Sequence, residues 1–413
     1  MFQKFQRLCI YAGLSLTAVA SSVNAQQLDS FAPEKVVTLY ETAANAEKIL
    51  FLLTYALQPM CDSDHSVWSY GGSGYVVAPQ REVKSFGRIA AYLESVNRQN
   101  LFVQEKFGAK PGQKVLLADQ PSSPLGLSGL KKGDVFSLAE EVPKKSEIEP
   151  QKAGETTVAP VSTESSGSEG RAERRKRIAE AAHKKYSDNP VQELVIWKDG
   201  VQSAAKVRMV NKCGLGVLAK ESRYSYAHSS KGQLTDGNLI VTLPFIEAAS
   251  SAELKTMLAL EAAHYALGYS DVSLGVEVFS AFFLGRIGDI GKNVETGVRP
   301  TIEKDLIQVD RLALSLAQEL GVSAMEYLDA LKKFDAARTG IGQPDYAQTR
   351  PLGPLRIEAL QAAIAAKNAD QPIVRAEKMS EETYSNVMAR MKSVATNSEA
   401  LFSLPEAQAI AKQ

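Results

Sequence analysis

The sequence has few of the residues that most often build metal and redox sites. It contains four histidines and three cysteines among 413 residues. Lysine plus arginine and aspartate plus glutamate are equal, at 47 each, so the formal net charge is zero. Because a balanced charge gives no general attraction to nucleic acid or to anionic lipid, no nucleic-acid partner is expected. Any function must therefore come from specific sites.

Three common catalytic signatures are also missing. The chain has no G-x-S-x-G nucleophile elbow, no P-loop and no dinucleotide fingerprint. These motifs position a serine nucleophile, a nucleotide phosphate and a pyrophosphate, respectively. The sequence therefore offers no motif for a serine hydrolase, a nucleoside triphosphatase or a dinucleotide-dependent oxidoreductase.

The N-terminus is apolar only over a short run. Residues 1–25 carry Lys4 and Arg7, then an apolar run, then the small-residue sequence Val23-Asn24-Ala25. This order predicts a secretory signal peptide that is cleaved. The alternative, a membrane anchor, requires about 20 apolar residues, and this run is shorter. We therefore expect a secreted, periplasmic protein with no transmembrane segment after signal cleavage.

Removal of the signal peptide leaves two cysteines, Cys61 and Cys213. In an oxidising compartment an even pair is more often bridged than free, and the alternative is two buried thiols. A bridge between them would close a loop of about 150 residues. On chain-entropy grounds such a loop contributes roughly 4 to 5 kcal/mol to stability. The sequence thus predicts one disulfide.

Composition divides the remaining chain into three parts. These are an N-terminal helix and small α/β region at 26–112, a β-rich module at 113–212 and a mostly helical domain at 213–413. The β-rich module is split at 143–190 by a polar stretch that is nearly free of large apolar side chains. Such a stretch cannot offset its ordering entropy, so it is predicted to be disordered. Its basic end is either a solvated helix or a site for an anionic partner.

Two helices are predicted in the N-terminal region. The first runs from Glu34 to Leu57 and ends before Pro59, since proline interrupts a helix. The second runs from Ser85 to Val96. Together they make this region partly helical before the β-rich module begins.

The β-rich module contains the phrase Gly129-Leu130-Lys131-Lys132-Gly133-Asp134. Further on, QELVIW and VQSAAKVRMV flank Lys198-Asp199-Gly200, a pattern that predicts a β-hairpin. The first phrase resembles the helix-to-strand corner of a PDZ domain, and the alternative is any β-turn-β unit. The resemblance implies a PDZ-like module that binds an extended peptide.

The stretch Ser251 to Gly268 is predicted to be a buried helix. Ser251 is a plausible N-cap, and Gly268 supplies a stop. Glu261 and His264 are three residues apart and therefore share one face of this helix. The simplest interpretation is a core histidine beside a helix-favouring glutamate. Before this helix, GLGVLAKE and a hairpin-like NLIVTLPF predict β-structure, with His228 in the loop that precedes the second segment.

Three segments in order carry a family resemblance. The sequence Leu260-Glu261-Ala262-Ala263-His264 resembles an HExxH zinc-peptidase helix in which leucine replaces the first histidine. Helix TIEKDLIQVDRLALSLAQELG, from Thr301, and segment TRPLGPLRIEAL, from Thr349, resemble later elements of the HtpX/BepA-type zinc metallopeptidases, peptidase family M forty-eight. The resemblance implies an α+β protein whose mostly helical domain is zincin-like and is preceded by the PDZ-like module.

The resemblance assigns positions to the family's site. Leu260 and Leu306 stand at two zinc-ligand positions, and His264 is the retained ligand. Glu261 takes the position of the general base, which is vestigial without a metal-bound water. The remaining positions are Asp310, expected to hydrogen-bond His264, Arg350 in place of a family histidine, Pro351, Arg356 and Ile357. The family also often has cysteines near the positions of Cys61 and Cys213.

A catalytic zinc needs three protein ligands, and two of the expected ones are leucines. We therefore expect no cofactor and a pseudopeptidase that binds an extended peptide or an envelope protein, with an active paralogue as a further partner. The competing hypothesis is an active zinc metalloendopeptidase that hydrolyses envelope proteins with non-standard ligands. For that hypothesis the candidate substitute ligands are Glu303, Asp305 and His228.

Overall fold

The computed structural model describes residues 32–61, 66–72, 74–80, 88–139, 177, 180–181, 183–198, 200–220, 227–230, 237–269, 303–337, 350–368 and 375–404. In these residues the chain combines helices with small sheets, which confirms the α+β class. The predicted signal peptide and most of the predicted insertion lie outside the described residues. None of the helices in the described ranges has the length and apolar character needed to cross a membrane.

Helices and strands are interspersed along the described chain without a repeating order. The helices are α1 (Lys35–Ala56), α2 (Arg88–Phe107), α3 (Pro124–Leu127), α4 (Leu243–Ala248), α5 (Ser251–Ala266), α6 (Glu303–Glu319), α7 (Ala324–Ala336), α8 (Pro354–Asn368) and α9 (Glu381–Phe402). The strands are β1 (Ser66–Ser69), β2 (Gly74–Val76), β3 (Lys114–Leu116), β4 (Val135–Leu138), β5 (Val191–Lys198), β6 (Val201–Arg208), β7 (Val210–Cys213), β8 (Leu215–Lys220), β9 (Ala227–Ser230) and β10 (Gly237–Thr242).

Helix α1 matches the predicted N-terminal helix closely. Its apolar side chains, including Leu50 and Leu53, are buried in the main core. The helix packs against β8, α5 and α9. It is followed by a short turn of 3-10 helix at Gln58–Met60 that contains Pro59, where a continuous helix would lose a hydrogen bond. The polypeptide then reaches Cys61.

The predicted disulfide between Cys61 and Cys213 is present, with the two Cα atoms 5.6 Å apart. It joins the end of α1 to the end of β7, and β7 pairs antiparallel with β1. The bond therefore connects residues 152 positions apart in the sequence. A disulfide of this kind is typical of proteins from oxidising compartments.

A five-stranded antiparallel sheet has the order β2-β3-β4-β5-β6. The predicted hairpin is confirmed, with Lys198 opposite Val201 across a two-residue loop. Strands β4 and β5 are neighbours although the predicted insertion separates them in the sequence. The turn before β4 contains Gly133 at φ +93°, a conformation that favours glycine.

The second sheet differs from the prediction. Strand β10 lies at its centre, parallel to β8 and antiparallel to β9. The hairpin predicted at NLIVTLPF is confirmed, since the consecutive strands β9 and β10 pair antiparallel. Its strand ends at Thr242, however, and the last three residues of the segment begin α4, where Pro244 stands in the first turn. His228 belongs to strand β9 and not to a loop.

Helix α2 is longer than the predicted Ser85 to Val96. It continues to Phe107 because Val103 is buried against the small core beneath the first sheet, so packing outweighs the polar residues in between. The chain then leaves the helix through Gly108 at φ +66°.

Helix α5 is the buried helix predicted from the sequence, with a cap one residue earlier. The N-cap is Ser250, whose Oγ accepts a hydrogen bond from the Glu253 N–H. The Glu253 carboxylate accepts in return from the Ser250 N–H at 2.9 Å, which completes a capping box. Gly268, at φ +75°, follows the last turn as predicted. Helices α1, α6 and α7 pack around α5 and place it at the centre of the main core.

Candidate functional site

The side chains of Glu261 and His264 are buried on one face of α5, with 0% and 1% of their surface exposed. Leu260, on the same helix, and Leu306, on α6, are also fully buried. The structure thus brings His264 and Glu261 together in the buried interior, as the helical spacing predicted. Buried polar groups need partners, so the elements that face them decide what the site can do.

The partner of both side chains is the guanidinium of Arg350, which is itself 1% exposed. Its Nη2 donates to Oε2 of Glu261 at 3.3 Å and lies 3.3 Å from Nδ1 of His264. Its Nε lies 3.3 Å from Oε1 of Glu261 in an ion pair whose angle does not make a hydrogen bond. One planar cation therefore contacts a carboxylate and an imidazole that come from successive turns of α5.

A second buried ion pair lies beside the first. Arg356 donates from Nε to Oδ2 of Asp310 at 2.5 Å and from Nη2 to Oδ1 at 2.9 Å. The Tyr327 hydroxyl also donates to Oδ1, at 2.9 Å. This is the bidentate geometry in which arginine binds carboxylates most strongly. Helices α6, α7 and α8 are joined through it.

Asp310, which was expected to hydrogen-bond His264, makes its described hydrogen bonds with Arg356 and Tyr327 instead. Both oxygens of Asp310 are engaged by the fork of Arg356, and one of them by Tyr327 as well. The physical reason is charge, since a buried carboxylate gains more from a guanidinium than from a neutral imidazole.

Arg356 also holds the backbone that carries Arg350. Its Nη1 donates to the carbonyl oxygens of Arg350 at 2.8 Å and Pro351 at 3.1 Å. The Leu352 N–H donates to Oδ1 of Asp335 on α7, at 3.1 Å. The backbone of residues 350–352 is thus held by side chains from α7 and α8, independently of the contact that the Arg350 side chain makes with α5. We use the name buried ion cluster for Glu261, His264, Asp310, Tyr327, Arg350 and Arg356.

The candidate substitute ligands have other contacts. Glu303 accepts the backbone N–H of Arg356 at 3.0 Å and so satisfies a free donor in the first turn of α8. A Cβ at residue 353 would come within 2.2 Å of the Glu303 Oε1, so Gly353 leaves the space that this carboxylate occupies. Asp305 lies near Tyr269, where burial, followed by the charges of Asp305 and Glu377, raises the pKa of Tyr269 to about 12.

The charges within the buried ion cluster balance. Two carboxylates face two guanidinium groups, and burial, followed by the positive charges of Arg350 and Arg356, holds the pKa of His264 well below its usual range. His264 is therefore neutral at physiological pH. Since Arg350 can only donate, the contact assigns the acceptor role to Nδ1 and the proton to Nε2.

The residues at this place do not fit a catalytic zinc ion. Such an ion needs three ligands with free lone pairs and an open position for water. The two further positions that the resemblance assigns to ligands hold leucine. The Glu261 carboxylate and the His264 imidazole both face the guanidinium of Arg350. Within the described ranges no three His, Cys, Asp or Glu side chains are grouped so that they could hold a metal ion. We therefore derive no metal-dependent step.

The contacts of Arg350 were not predicted from the sequence. The resemblance placed this arginine at the position of a family histidine, without any partner for its side chain. The presence of Glu261 in a helix predicted to be buried could have indicated such a partner, because a buried carboxylate without a metal ion requires another positive charge.

Comparisons with protein-family models, with curated proteins and with solved structures found no match. The features from which a function can be inferred are therefore the buried ion cluster and the edges of the sheets.

Proposed function

We propose that the chain is a pseudopeptidase of the HtpX/BepA type, which binds an extended peptide or an envelope protein and does not cleave it. The observation that carries this proposal is the Arg350 guanidinium between Glu261 and His264. Glu261, which would have to be the general base for a metal-bound water, instead faces a guanidinium. The site is thus arranged for stability and not for hydrolysis.

The surrounding elements support this proposal. Helices α5 and α6 pack together and carry the two leucines that stand at ligand positions, as a zincin-like domain without its metal would require. The first sheet, with the short helix α3 before β4, supports a PDZ-like module. The disulfide supports secretion into an oxidising compartment such as the periplasm.

Strand β6 offers an edge for peptide binding. It is the last strand of its sheet, and no described strand lies on its outer side. Its first four residues are exposed, including Val201 at 67% of its surface. An exposed edge of this kind pairs with an extended peptide through backbone hydrogen bonds.

The register of the hairpin shows which groups point outwards. In a two-residue hairpin the closing pair, here Lys198 and Val201, exchanges both hydrogen bonds. Because the pattern alternates, the backbone N–H groups of Gln202 and Ala204 point away from β5. These are the donors that a bound peptide would use.

The first test concerns chemistry. We expect the purified protein to contain well under one equivalent of zinc and to leave casein intact, because the site holds a guanidinium in place of a metal. Elemental analysis and a casein digest with and without a chelator measure both properties. One equivalent of zinc together with chelator-sensitive cleavage would instead establish the metalloendopeptidase hypothesis.

The second test concerns the edge of β6. We expect Ala204→Pro to abolish binding of peptides selected by the wild-type protein from a phage-displayed random library, because proline removes an outward N–H. The bonds to β5 should remain, since this N–H does not face β5. Ala204→Val is the matched control, because it keeps the N–H and suits a strand. Equal peptide binding by both variants would exclude this edge.

A further inference from the structure

We infer that the face of α5 formed by Glu261 and His264 is a guanidinium-binding site, whose resident ligand is the Arg350 side chain of the same chain. This inference rests on the same Arg350 contact as the proposed absence of cleavage, but it does not depend on whether the protein binds a peptide. Failure of the guanidinium test and failure of the peptide-binding test can therefore be distinguished.

The shape of the contacts supports a guanidinium over a simpler cation. Nε and Nη2 of Arg350 approach the two oxygens of Glu261, and Nη2 also approaches Nδ1 of His264. A planar fork can reach both acceptors at once, whereas the ammonium of a lysine is a compact charge at a single point. The three distances of 3.3 Å leave the cation shared between carboxylate and imidazole.

The chemistry of the two acceptors agrees with this assignment. Glu261 supplies negative charge, and the neutral His264 supplies a lone pair, so a cation that only donates is matched by both. A metal ion would need further lone pairs, but the residues at the expected positions, Leu260 and Leu306, have none.

The backbone around Arg350 is held independently of its side chain. Arg356, anchored on Asp310, binds the carbonyl oxygens of Arg350 and Pro351. Shortening the Arg350 side chain should therefore remove the ligand and leave its binding site in place. Such a site should accept a small free guanidinium ion.

The experiment is chemical rescue of Arg350→Ala. We expect this substitution to lower the melting temperature by about 10 °C, since it removes one partner of a buried ion pair. Methylguanidinium chloride at about 10 mM should raise the melting temperature of the variant by roughly 3 °C, through mass action on the folded state. The same concentration should leave the wild-type protein unchanged, because its site is filled.

Three controls test the specificity of the rescue. Ammonium chloride at equal ionic strength should have no effect on Arg350→Ala. Arg350→Met should not respond to methylguanidinium, because methionine fills the same space. Arg350→Ala combined with Glu261→Gln should lose the response, since the site then has no negative charge.

Several outcomes would overturn the inference. One is an Arg350→Ala protein as stable as the wild type, and another is a folded variant that methylguanidinium does not stabilise. Stabilisation of the variant by zinc alone would show a metal site that the arginine blocks. If Arg350→Ala does not fold, refolding from urea with and without methylguanidinium replaces the melting experiment, and equal recovery of folded protein in both would contradict the inference.

Discussion

Replacing Glu261 with glutamine is expected to lower the free energy of unfolding by about 3 to 5 kcal/mol. Glutamine keeps the shape of the side chain but removes the negative charge that faces the Arg350 guanidinium, and both side chains are almost fully buried. Urea unfolding followed by circular dichroism measures the loss. The exposed Glu358, replaced in the same way, should change stability by about 0.5 kcal/mol or less.

The size of this effect separates two interpretations of Glu261. A catalytic base that has no stabilising role could be neutralised at little cost to stability, so a loss below about 1 kcal/mol would contradict the ion pair. Adding Arg350→Met to Glu261→Gln should cost less than the sum of the two single losses, because the double variant buries neither charge. Additive losses would show that the two side chains do not interact.

Removal of the disulfide is expected to cost about 4 to 5 kcal/mol. The bond closes a loop between Cys61 and Cys213, which are 152 positions apart, and so restricts the unfolded chain strongly. It also joins α1, a main component of the core, to the end of β7. The Cys61→Ala/Cys213→Ala variant, compared by urea unfolding with its parent, measures this contribution.

The comparison should be made on the chain without residues 1–25, so that Cys9 cannot exchange with the bridge or cross-link two molecules. In that form a reducing agent should destabilise the parent by the same amount and leave the variant unchanged. A parent whose unfolding midpoint does not respond to reduction would show that the cysteines are not bridged in solution.

Elements that depend on local contacts could be predicted from the sequence. The spacing of apolar residues, a serine and glutamate at the start and Gly268 at the end were enough to predict α5. The hairpin at Lys198-Asp199-Gly200 was equally predictable, because its turn residues and flanking β-branched residues are adjacent. The disulfide followed from cysteine number and compartment, which are properties of the whole chain.

Elements that depend on distant partners were predicted poorly. The centre of the second sheet is β10, and its parallel neighbour β8 is separated from it by β9 in the sequence. The antiparallel pair of β9 and β10 followed from the local sequence, but no local pattern indicates the parallel partner β8, because the same apolar residues satisfy β10 with or without it. The extension of α2 to Phe107 likewise depends on the core that Val103 enters.

For the site, the sequence alone determined that Glu261 and His264 share a helix face and that the side chains of Leu260 and Leu306 have no atom that could bind a metal. Helical periodicity is a local property, so these statements required no knowledge of the fold. Only the tertiary structure decided that Arg350, 86 positions beyond His264, occupies the space between the two side chains and that Asp310 pairs with Arg356. The physical reason is that a buried charge selects its partner among all segments that packing brings near, and that choice is made by the assembled core.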